Sequence, residues 1–169
     1  MNTPESPPHA GPMSHVARAF LSAGPVAAIA TAGSIVTRPA IPTWYEGLAK
    51  PAGTPPNWLF APAWGLLYAL MAVSLWRILS HPVGRPGRRG ALLAFTTQLL
   101  LNGLWSWSFF GARNAALGAI NILVLDIAIA VTILLFARLD RLAAWLLAPY
   151  AAWVAYATYL NIGVWALNR

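Results

Sequence analysis

Five apolar stretches, each about as long as a bilayer core is thick, constrain this chain more than anything else in it. A helix needs about 20 predominantly apolar residues to cross the hydrocarbon. Such stretches run from about Val16 to Thr37, Trp58 to Leu79, Ala91 to Phe110, Ala115 to Phe136 and Leu142 to Leu167. Charged residues make up 9% of the chain, against about a quarter in an ordinary soluble domain. A soluble domain of 169 residues cannot hide a chain that is 59% hydrophobic, because surface falls too slowly with size. No strand-like alternation competes with the helical reading. The expected fold is therefore all-α, an integral membrane bundle of five transmembrane helices. Residues 1–15 are polar and proline-rich and read as a disordered tail. Residues 16–169 read as one membrane domain, with a long binding loop at about 38–57.

The net charge of +7 is not a nucleic-acid footprint. The arginines sit in gaps between apolar runs, as in membrane loops. Arg18, Arg77, Arg85, Arg88, Arg89, Arg138 and Arg141 fall on the side of the N-terminus. Arg38, Lys50, Arg113 and Arg169 fall on the other. The positive-inside rule then places the N-terminus inside and the C-terminus outside. The lipid bilayer is the first expected partner. Helix one carries Ala19, Ala23, Ala27 and Thr31 at four-residue spacing. That stripe suits close packing inside the monomer or a homodimer seam.

Several chemistries are absent. Without cysteine there is no thiol catalysis or thiolate metal site. No histidine lies mid-span to hold haem iron or to serve as a base. The sole lysine, Lys50, lies in a loop, and no two carboxylates share a face. No metal site and no obligatory cofactor are expected, nor any familiar catalytic constellation. Asp126 is the one acid deep in a span, where a charge costs roughly 2.5–3.5 kcal/mol. It is expected to be protonated, paired across helices or facing a wet cavity.

Three polar-aromatic faces remain. Trp64 and Tyr68 are four residues apart on helix two. Gln98, Asn102 and Trp105 share a face of helix three; Tyr150, Trp153, Ala157 and Asn161 share one on helix five. An amide in hydrocarbon must find a partner, so Gln98, Asn102 and Asn161 are expected to point inward. Trp44, Tyr45, Trp58, Trp107 and Trp165 lie near span ends, where rings anchor at the membrane surface. Trp64, Trp105 and Trp153 either line a cavity for a flat aromatic ligand or pack as core aromatics.

Three runs then become recognisable. They are Trp44-Tyr45-x-x-Leu48-x-Lys50-Pro51 with Pro55-Pro56-x-Trp58-x-Phe60-x-Pro62-x-Trp64-x-x-Leu67-Tyr68; Gln98-Leu99-x-Leu101-Asn102-x-x-Trp105-x-x-x-Phe109-Phe110-Gly111-x-Arg113; and Pro149-Tyr150-x-x-Trp153-x-x-Tyr156-Ala157-Thr158-x-Leu160-Asn161. In this order they resemble the TspO/MBR family, the translocator and tryptophan-rich sensory proteins. The resemblance implies a five-helix bundle, usually dimeric, in a bacterial inner membrane. It implies a pocket near the first loop that takes porphyrins such as protoporphyrin IX, or sterol-like molecules. It also implies light-dependent porphyrin breakdown in some members. Trp64 and Trp153 match the paired tryptophans linked to that chemistry. The candidate ligand-binding set is Trp44, Tyr68, Asn102, Trp105, Tyr150, Ala157 and Asn161. Three departures stand out. Gly53 replaces a frequent aromatic, which should loosen the loop; Gly103 replaces a frequent tryptophan; Ile162 and Ala166 break the sterol-type pattern. The function expected is a porphyrin-binding sensor, with a porphyrin transporter coupled through Asp126 and a structural partner of a larger complex as alternatives.

Overall fold

A computed structural model describes residues 14–169 and is all-helical over them. Residues 1–13, most of the polar tail, lie outside the described residues. Helix α1 spans His15–Ala40 and is capped by Ser14, whose hydroxyl accepts the Ala17 amide. It is followed by a π-helical turn, Ile41–Tyr45. Helix α2 spans Asn57–Leu79, and α3 spans Arg88–Ser106 with a second π-turn, Trp107–Gly111. Helix α4 spans Ala115–Ala137, α5 Arg141–Leu146 and α6 Ala148–Leu167. The segment His15–Tyr45 and helices α2 and α4 are each long and apolar enough to cross a membrane.

Two boundaries differ from the sequence expectation. The loop expected from residue 38 begins only after Tyr45, because the prolines there do not stop the helix. The chain widens into the π-turn instead, with the Glu46 amide reaching the Ile41 carbonyl and the Thr43 hydroxyl donating to the Pro39 carbonyl. The single helix expected over 142–167 breaks at Leu147. Pro149 has no N–H to offer the Trp145 carbonyl, so the ladder fails there.

The helices form a ring. Helix α1 packs on α2 and α3, α4 packs on α3, α5 and α6, and α2 closes the ring against α5. Met71, Ile78, Phe95, Ile129 and Phe136 fill the centre. Phe20, Ile35, Leu93, Ile120, Ile127 and Leu134 stand exposed outside, while Gln98, Asn102, Asn121, Thr132 and Asn161 are buried. Apolar outside and polar inside reverses the order that water imposes and suits lipid as the solvent. Ala19, Ala23, Ala27 and Thr31 are exposed. The stripe therefore does not pack inside the monomer, which removes the first of the two readings given it.

Candidate functional site

Near the end of the bundle where the 46–56 connection lies, α1, α2, α3 and α6 separate around a cavity of about 350 Å³. That volume falls within the ordinary range for small-molecule sites, about 300–1,000 Å³. Seven rings stand in its walls: Tyr45 from the first π-turn, Phe60, Trp64 and Tyr68 from α2, and Trp105, Phe109 and Phe110 from α3 and its π-turn. Ala157, Leu160, Asn161 and Val164 supply the α6 side. Gly33, Ser34, Thr37 and Arg38 supply the α1 side. Ser34, Arg38, Asn57, Ala61 and Gly65 are exposed lining residues, so the mouth lies between α1 and α2.

The rings are set by one another. Trp64 stacks on Tyr68 at 5.3 Å between centroids and 30° between planes. Trp105 stacks on Phe109 at 5.7 Å and 18°. The Trp105 Nε1–H donates to the Asn161 Oδ1 at 3.0 Å, and the Asn161 amide donates to the Ala115 carbonyl at 2.8 Å. One side chain thus ties α6 to α3 and α4. The close approach needs Gly118 on α4, since a Cβ there would lie 2.8 Å from the Asn161 Oδ1 and 2.9 Å from the Phe109 ring. Indole N–H groups want a partner when buried, and Asn161 fixes the plane of Trp105 by supplying one.

Behind the cavity wall lies a second tier. The Tyr68 hydroxyl donates to the Asn102 Oδ1 at 2.9 Å, and the Asn102 amide donates to the Tyr150 hydroxyl at 3.2 Å. Tyr150 is fully buried and meets Trp64 edge-on at 6.3 Å. Gln98, one turn below Asn102, points inward as expected, but its amide makes no hydrogen bond to the protein. Asp126 lies at the α4–α6 contact, where the Thr158 hydroxyl donates to its Oδ2 at 2.8 Å. Of its three expected states, pairing across helices is the one seen, and Asp126 does not line the cavity.

The candidate residues therefore divide. Trp64, Tyr68, Trp105, Ala157 and Asn161 line the cavity. Asn102 and Tyr150 stand behind it, screened by Tyr68 and Trp64. Trp44 is turned away, edge-on to Phe109 at 5.3 Å, because the π-turn aims Ile41 and Tyr45 inward instead. Trp153 is separated from Trp64 as well. It packs against Phe60 at 6.1 Å and lines a shallow apolar groove on the other side of the α2–α6 seam, with Leu66, Leu67 and Pro149. Its helical phase is right, but the Phe60 ring meets it at that seam. Periodicity did carry a signal for two lining residues passed over: Phe109 lies four residues after Trp105, and Phe60 four before Trp64.

The loop over the cavity end is held by α6. The hydroxyl of Tyr156 donates to the Gly53 carbonyl and that of Tyr159 to the Ala52 carbonyl. The Asn168 amide exchanges two hydrogen bonds with the Ala49 backbone, both at 2.9 Å. Pro51 sits so close to α6 that a Cβ on Gly163 would lie 2.6 Å from its ring. These tyrosine bonds fall on backbone carbonyls, so they do not need an aromatic side chain at position 53.

The TspO/MBR family pattern matches residues 21–166. The chain belongs to the TspO/MBR family. It is similar to the tryptophan-rich protein TspO of Archaeoglobus fulgidus, 43% identical over 143 residues that cover 85% of this chain and 92% of that protein. It is similar to the human translocator protein, 38% identical over 127 residues covering 75% of each chain. It is similar to the tryptophan-rich sensory protein of Cereibacter sphaeroides, 36% identical over 125 residues covering 74% of this chain and 77% of that one. Family and apolar helices together make this TspO/MBR protein an integral membrane protein.

Proposed function

We propose that this protein is a membrane receptor whose cavity binds protoporphyrin IX and related flat, lipophilic ligands. The observation that carries the reading is the ring-walled slot, with Trp64 and Trp105 half-buried and each already stacked on a neighbouring ring. A flat π-system gains most by lying parallel to such rings. The cavity volume is at the lower end for such a ligand, so one edge of a tetrapyrrole would remain in the mouth between α1 and α2. Relatives named as sensory and translocator proteins support a receptor role.

In this reading five segments span a bacterial inner membrane, with α5 and α6 together forming the fifth and the N-terminus inside. The exposed stripe of Ala19, Ala23, Ala27 and Thr31 is the seam of a homodimer. In the same reading light-dependent porphyrin breakdown falls to Trp64, the member of the expected tryptophan pair that lines the cavity. The transport alternative rests on Asp126, which is bonded to Thr158 away from the cavity.

Titration of the protein in detergent with protoporphyrin IX, followed by quenching of tryptophan emission in the dark and under light, tests the reading. Trp64→Leu is expected to weaken binding by about tenfold, equivalent to about 1.4 kcal/mol of lost stacking and burial. Trp153→Leu is expected to bind nearly as the wild type does. The reverse order of effects would move the site to the α2–α6 groove.

A further inference from the structure

Among the residues that line the cavity, Arg38 alone carries a full charge. It lies in the last turn of α1, exposed at the mouth, and Ser34 stands one turn before it on the same face. We propose that Arg38 makes the cavity selective for flat apolar acids, receiving a ligand carboxylate at the mouth while the apolar body lies among the rings. This rests on the reading that the cavity binds porphyrin-like ligands, and it assigns the residue that receives their acidic edge.

Among the described residues Arg38 has no carboxylate partner. The two ion pairs found there both belong to Asp140, in the α4–α5 connection at the opposite end of the bundle. The other cations near the cavity end are engaged or placed elsewhere. The Lys50 ammonium donates to the Glu46 and Leu48 carbonyls at 3.1 Å and lies 4.8 Å from the centre of the Tyr45 ring. Arg169 lies over Trp165 at 5.1 Å, and Arg113 is not part of the cavity wall. Among the described residues no carboxylate lines the cavity to repel an acid.

The physics favours an acid at this position. A guanidinium presents a planar fork that matches two carboxylate oxygens. Ser34, Thr37 and Asn57 at the same mouth supply further hydrogen-bonding groups. A carboxylate buried among the rings would lose its hydration without return. One held at the mouth keeps water on one side and the cation on the other. The ligand is thereby oriented, with its acidic edge out and its apolar face against Trp64.

The test uses the full chain in nanodiscs of neutral lipid, with protoporphyrin IX and its dimethyl ester as probes. The wild type is expected to bind the diacid about tenfold more tightly than the ester, as a charge-assisted hydrogen bond at a half-open site provides. Arg38→Gln is expected to bind both alike, with its ester affinity unchanged, and added salt should narrow the wild-type preference. Equal binding of the two porphyrins by the wild type, or a preference that survives in Arg38→Gln, overturns this inference alone. Binding of neither porphyrin by the wild type overturns the cavity reading with it.

Discussion

Asn102 sits on the expected inward face with its amide engaged by the protein itself. Its amide joins Tyr68 to Tyr150, one hydroxyl on each side, so it positions the cavity wall. Removing it strands the Tyr150 hydroxyl in a fully buried place. Asn102→Leu is therefore expected to cost about 1–3 kcal/mol in thermal unfolding, the usual penalty for an orphaned buried group. Adding Tyr150→Phe should recover part of that loss, because the orphan is then gone. An unaltered melting temperature in the single variant would show that the amide is not a strut. Helical phase made the inward face of Gln98, Asn102 and Trp105 legible in the sequence. It could not show that the Tyr68 hydroxyl takes up Asn102, or that Trp153 lines a different surface from Trp64. Which of two inward side chains is in front depends on depth and tilt, and periodicity carries neither.

At the scale of elements, the apolar runs gave helix positions closely, and prolines decided the exceptions. Pro149 divides the last span into α5 and α6, whereas Pro39 and Pro42 are absorbed by continued α1 and a π-turn. The sequence shows the prolines but not which outcome follows, since that depends on whether the turn can widen, as it does where the Glu46 amide reaches the Ile41 carbonyl. Asp140 holds the start of α5, accepting the Ala143 amide at 3.0 Å and pairing with Arg77 at 2.9 Å. Burial alone would raise its carboxyl, but the Ala143 amide and the Arg77 guanidinium outweigh that and keep it below the usual carboxylate range. A depressed value in the fold means the contribution is complete at neutral pH. It is lost as pH falls below about 3.9, the usual aspartate value, through the depressed one. Asp140→Asn should lower thermal stability at neutral pH and flatten the acid loss relative to wild type. Parallel melting curves for the two proteins across that acidic range would contradict the assignment.

For the whole molecule, the reversed distribution of polar and apolar groups is the organising fact. Lipid removes the usual drive to bury leucine and isoleucine, so packing and internal hydrogen bonds hold the helices together. The buried amides of Asn102 and Asn161 each link helices and also frame the cavity. Gly65 offers the most direct measurement of whether that cavity is where ligand binds. It lines the mouth, and a Cβ there would meet no atom within 4 Å. A Cβ in Gly65→Phe therefore finds open space and the helix prefers phenylalanine to glycine, so the variant is expected to fold and its ring to obstruct the mouth. Equilibrium titration with protoporphyrin IX in nanodiscs should show binding weakened at least tenfold with the melting temperature of the unliganded protein retained. Unchanged affinity in a folded Gly65→Phe protein would mean that the ligand lies outside the ring-walled cavity.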